Sequence, residues 1–560
     1  MLPVFEILAL IGLALACLLG RKGGPRTSPA LLPRRLPLSR HRPALVFLFV
    51  GLTAFFGCVL AALVAGVPQP AIHDEFSNLL AADTLAAGRL TNPTHPFWKH
   101  FETFHVIQQP TYASKYPPAQ GLMLACGQFF FGSPLVGVWL AVALAAAATS
   151  WMLAGWCPLR WAWWGGLLAA VRLVFSGPLF PEAPGTMAYW SQSYWGGAVA
   201  VLGGALIFGA LPRLRKHPRG RDALGLGLGL ALLANHRPFE GLLVGLPAAA
   251  ALLLGLVRFQ QRSGHFPFRA VGVPLGSILL FTALGMGFYN YRVTGDPLLL
   301  PYQVHEARYG LAPVFLWQPL KSPPDYNHQV LREFHTGWSK DSFQMQQTFS
   351  GWLRVAGLKL RALGWFYFGL LFAPFLAAFP YMWRRRPVKF ALAGGGLLLA
   401  GLLAETWAYP HYAAPAAPLV FLLLVEALRQ ARFLHWRGRF SGEALVRAVL
   451  PMTLVATGLP FILIQLWKTP DWTLERARLL KALEQTPGHH LVIVRYGPGH
   501  SPHQEWVYNR ADIDQARVVW ARAMDPEADG ALRRYFRDRR AWLLQVEAAQ
   551  ISLNTFPADP

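Results

Sequence analysis

The chain has 560 residues, of which 54% are hydrophobic and 14% charged, and its formal net charge is +23. Soluble proteins have nearer a quarter charged residues, so the composition excludes an ordinary soluble protein and indicates many membrane spans. The basic residues lie in short connections between apolar runs, which is typical of cytoplasmic loops and argues against nucleic-acid binding. The four cysteines are scattered in or beside apolar runs and predict no disulfide framework.

Apolar runs of about 20 residues predict twelve membrane spans. The first run lacks a basic start and a cleavage motif, so we predict a true span and not a signal peptide. Lys and Arg are concentrated in alternate connections, which predicts that both termini lie on the outer side of the membrane. The predicted spans are 2–20, 44–67, 134–156, 161–180, 194–211, 223–238, 241–257, 270–289, 361–382, 388–406, 410–428 and 448–467.

Residues 119–132 are apolar but too short to cross a bilayer comfortably, and they contain Gln120 and Gln128. We therefore predict a half-buried or interfacial helix that belongs to the first outer loop. With this assignment all the basic connections fall on one side of the membrane. The two long outer loops are then 68–133 and 290–360.

The composition becomes polar after residue 467. A buried strand is predicted at 491–494, a helix at 513–524 with Asp512 or Asp514 near its start, and a second strand at 541–546. This order predicts a small α/β domain. The predicted organisation is an extra N-terminal helix with a basic linker at 1–43, a membrane module at 44–467, and a soluble periplasmic domain at 468–560.

Asp74 and Glu75 follow the second predicted span, at the start of the first outer loop. Two adjacent carboxylates beside a bilayer are costly unless they are used, and such a carboxylate can act as a general base. The alternative is a solvated loop in which Asp74 caps a helix at 75–87. Lys115, ahead of Tyr116 and two prolines, is either a cation for a phosphate group or a lysine that contacts lipid headgroups.

Glu182 lies in the second outer connection, ahead of Trp190 and Tyr194. An acidic residue at this position could share a site with Asp74. The aromatic side chains either stack on sugar rings or belong to the aromatic belt at the membrane interface.

Arg237 lies between two apolar runs, near the outer end of the spans. Ionisable groups at that depth are candidates for function, and Arg237 could bind a phosphate group in a bidentate manner. The alternative is an Arg237–Glu240 pair that neutralises itself at helical spacing. His411 and Tyr412 begin another span, where they bind phosphate or sugar hydroxyls, or else serve as a helix cap and part of the aromatic belt.

The order of these features resembles the GT-C superfamily of membrane glycosyltransferases. Within it, the chain looks like bacterial glycosyltransferase family 39, the relatives of dolichyl-phosphate-mannose–protein mannosyltransferases and of the lipid A aminoarabinose transferase. The resemblance covers roughly residues 44–467 and implies an all-α polytopic membrane fold with about twelve helices. The residues that carry it are Asp74-Glu75, Lys115-Tyr116-Pro117-Pro118, the segment that ends at Phe131-Gly132, the hairpin of spans around 134–180, 290–297 and His411-Tyr412.

The resemblance implies a hexosyl- or pentosyltransferase of the bacterial inner membrane, which uses a polyprenyl-phosphate-linked sugar as donor. Transfer would be inverting, on the periplasmic side, to a hydroxyl of an unidentified lipid, glycan or protein acceptor. No cofactor is predicted, and no divalent metal is expected, as in the mannosyltransferase branch. The roles that the resemblance implies are Asp74 as base with Glu75 beside it, Lys115 at the donor phosphate, and Glu182, in place of the usual Asp, as a second acid. From the residues themselves we also predict Arg237, His411 and Tyr412 at the donor phosphate. The residues predicted at the sugar or acceptor are His105, Tyr116, Trp190 and Tyr194.

Other classes of protein predict different patterns. A transporter or flippase for lipid-linked sugars predicts polar residues through the span centres and an inverted repeat, whereas here the polar groups gather at the outer ends. A polysaccharide polymerase or ligase predicts a large arginine-rich loop, and loop 290–360 is only modestly basic. A non-catalytic membrane assembly protein is a further alternative.

Overall fold

The computed structural model describes residues 11–15, 21–22, 43–177, 188–433, 439–466, 471–547 and 551–556. Within these ranges, eight helices are long and apolar enough to cross a membrane. A ninth span is present if Phe349–Tyr367 and Gly369–Met382, which meet at 98°, are one bent span. The chain is therefore a multi-pass membrane protein.

The predicted total of twelve spans is not confirmed. Helices lie at the predicted positions 161–180 and 223–238, but Leu159–Phe175 and Gly220–Ala234 have only 17 and 15 residues. A straight crossing needs about 20 residues, which explains why these two helices fall short. The predicted span 2–20 lies outside the described residues except for 11–15, which are helical.

The helix Pro43–Ala65 shows how a span divides between protein and lipid. Val46, Val50, Ala54 and Cys58 recur every four residues and are buried. The opposite face is apolar and exposed, with Leu63 79% accessible. A helix that is apolar on all sides but packed on one face is what a lipid environment allows.

The chain forms two compact units. The first comprises Met1–Pro68, Val138–Ala283 and Leu353–Lys468, and the second comprises Gln69–Gly137, Leu284–Trp352 and Thr469–Pro560. The second unit thus collects most of the two predicted outer loops together with the C-terminal segment. Three helices, Pro134–Trp156, Val273–Thr294 and Phe349–Tyr367, have residues in both units.

In the part of the first unit that the structure describes, the regular elements are helices apart from a short antiparallel pair of strands, Arg21–Lys22 and Arg439–Phe440. A π-helical turn, Phe268–Gly272, precedes the helix that starts at Val273. The helices that lie in this unit are Pro43–Ala65, Leu159–Phe175, Ala198–Lys216, Gly220–Ala234, Pro238–Ser263, Phe372–Met382, Arg386–Ala404, Ala417–Ala431, Ser441–Leu466 and most of Phe349–Tyr367.

The second unit mixes helices and strands. We call its helix His73–Ala86 the Asp74 helix. A hairpin joins strands Val106–Ile107 and Thr111–Ser114, and Asn92–Pro93 pairs with the second of them. The other helices in this unit are Pro118–Phe131, Pro301–Arg308, Gln329–Glu333, Lys340–Gln344, Trp472–Gln485 and Pro526–Tyr535.

Where an interfacial helix was predicted, the structure has the 14-residue helix Pro118–Phe131. It packs against the Asp74 helix so closely that a Cβ on Gly121 would lie 2.6 Å from the Cβ of Ala81. A glycine is needed at this crossing because no larger residue fits. Phe129 and Phe130 on the outer face are 70% and 71% exposed, as expected for an interfacial helix.

The C-terminal segment forms a four-stranded sheet. His489–Tyr496 is the central strand, parallel to Val518–Arg522 on one side and to Arg539–Val546 on the other, and Ile551–Thr555 completes the sheet antiparallel. One face of the sheet packs against Phe76 and Leu80 of the Asp74 helix. The small α/β domain predicted from the sequence is confirmed, and its sheet supports the helix that carries Asp74.

The prediction of a helix at 513–524 is wrong, because Val518–Arg522 is a strand that is buried on both faces. A short apolar run buried on both sides has no clear period, so periodicity alone does not separate strand from helix. The helix begins later, at Pro526, after Asp525, whose side chain accepts a hydrogen bond from the backbone N–H of Ala528. The Asp525-Pro526 pair is the stronger start signal.

Candidate active site

Asp74 and His105 form the centre of a polar cluster in the second unit. The Oδ1 of Asp74 lies 2.7 Å from Nδ1 of His105, and both side chains are nearly one-fifth exposed. The hydroxyl of Tyr116 lies 3.0 Å from the same nitrogen. Two residues predicted from the sequence, Asp74 and Tyr116, therefore both lie within hydrogen-bond distance of one ring nitrogen of a third, His105.

The hairpin explains why these residues meet. Its register pairs Val106 with Ser114, so His105 lies opposite Lys115. The carbonyl oxygen of His105 accepts hydrogen bonds from the Ser77 hydroxyl at 2.6 Å and from the Lys115 backbone N–H at 3.2 Å. Ser77 belongs to the Asp74 helix, and its hydroxyl also lies 2.7 Å from that of Ser114. The helix and hairpin are thus joined directly beside the Asp74–His105 pair.

The backbone of His105 has a φ of +59°, in the left-handed region. Non-glycine residues rarely adopt this conformation, and they keep it only when the surrounding structure holds it. The two hydrogen bonds to its carbonyl supply that restraint. Backbone strain of this kind is concentrated at functional sites, which supports a role for His105.

Lys115 brings a positive charge to the same unit. Its side chain is 10% exposed, and Nζ lies 3.5 Å from Oε1 of Glu306, on the helix Pro301–Arg308. The Nδ1 of His305 lies 3.3 Å from the same oxygen. An ammonium group has three protons, so one contact with Glu306 leaves Lys115 able to bind a second anion.

The protonation states follow from burial and charge. Burial lowers the pKa of His105, Lys115 acts in the same direction, and Asp74 opposes them, so the imidazole is neutral at physiological pH. Burial lowers the pKa of His305 to about 3. Burial alone would raise the pKa of Glu306, but Lys115 and His305 outweigh it and hold that pKa below its ordinary range. Glu306 is thus a carboxylate paired with the Lys115 ammonium group.

The contacts of Glu75 indicate a role different from that of Asp74. Its carboxylate accepts hydrogen bonds from the backbone N–H groups of Ala71 and Ile72, at 2.8 and 3.2 Å, and the residue is buried. These contacts satisfy donors at the start of the Asp74 helix, where a negative charge also favours the helix dipole. The sequence alternative of a helix capped by Asp74 differs from the structure, in which the helix starts at His73 and Glu75 binds the preceding backbone.

The remaining predicted residues described by the structure belong to the first unit. Arg237 Nη1 lies 3.5 Å from Oε1 of Glu240, with both side chains buried. The guanidinium also lies 4.1 Å from the ring centre of Tyr412. The self-neutralising pair considered as the alternative for Arg237 is therefore present. His411 is buried, with Nδ1 2.6 Å from the hydroxyl of Tyr189.

Trp190 and Tyr194 lie in the core of the first unit, with exposed fractions of only 3% and 5%. The Trp190 ring contacts Phe366, and the Tyr194 hydroxyl donates to the carbonyl oxygen of Pro68. Little of either ring is left for a ligand, although a sugar-binding role for both stays a prediction. Glu182 lies outside the described residues.

Sequence reasoning missed Glu306 and gave no role to His73. The signal for Glu306 was an acidic residue beside a histidine in the long loop 290–360, but pairing it with Lys115 requires the fold. Among the described residues, no group of three or more His, Cys, Asp or Glu side chains is arranged to hold a metal ion. Independence from a metal stays a prediction.

No protein-family model and no curated protein matches the chain. Among solved structures, ArnT from Cupriavidus metallidurans bound to undecaprenyl phosphate is 14% identical with a TM-score of 0.49, over 90% of this chain and 92% of ArnT. The Archaeoglobus fulgidus oligosaccharyltransferase in complex with Zn and sulfate is 10% identical with a TM-score of 0.47, over 89% of this chain and 67% of the other. These neighbours are GT-C proteins, the group that the sequence resembles. Since both TM-scores are below 0.5, the assignment of function rests on this chain's own residues.

Proposed function

We propose that the protein is an inverting membrane glycosyltransferase, which transfers a sugar from a polyprenyl-phosphate donor to an acceptor hydroxyl. The reaction takes place on the periplasmic side of the bacterial inner membrane. The observation that carries the proposal is the Asp74–His105 pair. Its Oδ1 and Nδ1 atoms lie 2.7 Å apart, both side chains are partly exposed, and the pair belongs to the same compact unit as the buried cation Lys115. A base and a cation are the two groups that this chemistry requires.

Asp74 is the proposed base. It removes the proton from the acceptor hydroxyl as that oxygen attacks the anomeric carbon, and the transition state has oxocarbenium character. The Nδ1–H of His105 donates to Oδ1 of Asp74, and the hydroxyl oxygen of Tyr116 lies 3.0 Å from the same nitrogen. Fixing the base in this way reduces the reorganisation needed during the reaction.

Lys115 is the proposed ligand of the donor phosphate. The bond between the anomeric carbon and the phosphate oxygen breaks with its electron pair on the phosphate, so negative charge develops there. A buried ammonium stabilises such a charge more strongly than an exposed one. Glu306 orients the Lys115 ammonium group through one contact, which leaves other N–H groups of the lysine to bind the phosphate. We assign Glu75 to positioning the Asp74 helix through its backbone contacts.

The proposal is tested with the full-length protein in detergent and a panel of polyprenyl-phosphate monosaccharides, with release of lipid phosphate and sugar transfer as readouts. We expect turnover by the wild type with at least one donor. Asp74→Asn should lower the rate by about 100-fold or more, since an amide does not act as a base. Full activity in that variant excludes Asp74 as the base.

Asp83→Asn is the matched control on the same helix. The Asp83 carboxylate accepts hydrogen bonds from the Gln128 side-chain amide and the Ala511 backbone N–H, at 3.0 and 2.8 Å. The variant removes the same charge from the Asp74 helix and should retain turnover. A folded wild type that is inactive with every donor contradicts the proposal and favours a transporter or a pyrophosphate-dependent ligase.

A further inference from the structure

His73, the first residue of the Asp74 helix, is a buried imidazole with no role in the proposed mechanism. It is 4% exposed, and its ring stacks on Phe104 at a centroid distance of 4.1 Å. Its Nδ1 lies 2.9 Å from the hydroxyl of Tyr508, in the C-terminal segment. Its Nε2 has no hydrogen-bond partner among the residues that the structure describes.

The contact with Tyr508 determines which nitrogen carries the proton. Burial lowers the pKa of His73 well below its ordinary value, so the ring is neutral and has one N–H. Burial raises the pKa of Tyr508, so its hydroxyl keeps its proton. An imidazole nitrogen is a better acceptor than a phenol oxygen, so the hydroxyl donates to Nδ1 and the ring proton is at Nε2.

A buried N–H without a partner is costly. Each such group in a native protein calls for an explanation, and a role in catalysis or binding is one of them. His73 immediately precedes Asp74, and its ring meets that of His105 edge-on at 5.7 Å. The unpartnered donor therefore belongs to a ring that adjoins the Asp74–His105 pair.

The surroundings of His73 indicate what the donor binds. Phe334 lies edge-on at 5.4 Å, and His503 lies nearly parallel at 6.1 Å. A neutral N–H among aromatic rings suits a neutral hydroxylated ligand with an apolar face, which describes a sugar ring. A phosphate would instead require a cation, as Lys115 supplies.

We propose that His73 binds a hydroxyl of the sugar substrate through its Nε2–H, and that Tyr508 is a positioning residue that fixes this tautomer. The inference rests on the proposed function and adds to it a substrate-binding residue. It also gives the C-terminal segment a task, since Tyr508 belongs to that segment and its ring stacks on Phe76 at 3.9 Å.

The test is a double-mutant cycle with His73→Phe, Tyr508→Phe and the double variant, each full-length in detergent. His73→Phe keeps a ring against Phe104 and removes the donor, so kcat/KM should fall about 10- to 100-fold. Tyr508→Phe keeps the stacking on Phe76 but removes the hydrogen bond that fixes the His73 tautomer, so kcat/KM should fall about 5- to 10-fold. In the double variant, kcat/KM should be no lower than in His73→Phe alone, because Tyr508 acts only through His73.

Two further variants separate this role from a structural one. His73→Gln restores an N–H donor and should recover part of the activity lost in His73→Phe. Tyr112→Phe is the matched control, since its buried hydroxyl also donates to the C-terminal segment, at the carbonyl oxygen of Asn509, without contacting His73. Its kcat/KM should stay within about twofold of the wild type.

The assay also shows which sugar is bound. If His73→Phe hydrolyses the donor more slowly in the absence of acceptor, the hydroxyl that His73 binds belongs to the transferred sugar. If only the rate of transfer falls, that hydroxyl belongs to a carbohydrate acceptor. Additive losses in the cycle, or full activity of His73→Phe, overturn the inference while leaving the proposed function intact. A wild type that is inactive with every donor overturns both.

Discussion

The polar groups around Asp74 and those around Arg237 differ in where their partners come from. In the second unit, Asp74 and Lys115 bind His105 and Glu306, which lie on separate segments, and Asp74 stays partly exposed. In the first unit, Arg237 is paired with Glu240, three residues along the chain, and both are buried. A local pair neutralises itself without a ligand, whereas pairs between distant segments fix a geometry that chemistry can use.

The largest expected effect comes from breaking the local pair. Arg237→Met leaves the Glu240 carboxylate buried without its cation, and such a change costs about 3–5 kcal/mol of stability. Thermal unfolding of the protein in detergent measures the loss. We expect a lower yield of folded protein and a lower unfolding temperature than in the wild type.

The double variant Arg237→Met/Glu240→Met tests whether the pair is only structural. It removes both charges, so most of the lost stability should return. If the restored protein is active, Arg237 does not bind the donor phosphate. A stable but inactive double variant would return Arg237 to the site as a phosphate ligand.

Lys115→Gln tests the pair between distant segments. The variant loses the ammonium that we assign to the leaving phosphate, so kcat should fall about 100-fold. Lys321→Gln is the control, because Lys321 Nζ donates to the backbone carbonyl oxygen of Glu306 and the residue is exposed. Equal losses of kcat in the two variants would mean that the helix Pro301–Arg308 is disturbed and that Lys115 does not itself stabilise the leaving phosphate.

The buried histidines of the second unit predict a pH dependence of stability. Burial lowers the pKa of His335 to about 3, compared with an ordinary value of about 6.5. Between these pH values the unfolded chain binds a proton that the folded chain does not, so stability falls as the pH drops from 6.5 towards 3. The slope is about 1.4 kcal/mol per pH unit for one histidine.

Unfolding of the protein in detergent at pH 7, 6 and 5 measures this slope. His335→Gln removes one titrating group, so its stability should fall less steeply than that of the wild type. His328, whose pKa burial also lowers to about 3, should give the same result when replaced with Asn. Parallel slopes in the wild type and both variants would contradict neutral buried imidazoles.

The sequence was sufficient for features that follow from local pattern. Apolar length located the eight long apolar helices of the described residues, and the short run with Gln120 and Gln128 predicted a separate helix that the structure contains. The strand around 491–494 followed from a short β-branched run. The strand Val518–Arg522 was missed because burial on both faces removes the period that distinguishes a strand.

The candidate site was predictable only in part. Asp74 and Lys115 could be chosen because charges beside apolar runs are costly. The sequence does not say that His105 joins Asp74, since that depends on the hairpin register and on a left-handed backbone at His105. Contacts across 191 and 435 positions, from Lys115 to Glu306 and from His73 to Tyr508, arise only from tertiary packing.

The smallest expected effect separates Glu75 from its neighbour. Glu75→Gln keeps an oxygen that accepts from the Ala71 and Ile72 backbone but loses the charge at the helix start, which costs about 0.5–1 kcal/mol. Turnover should stay within a few-fold of the wild type, with a slightly lower unfolding temperature. A folded Glu75→Gln protein as inactive as Asp74→Asn would place both carboxylates in the chemistry, since a capping role affects stability and leaves the reaction unchanged.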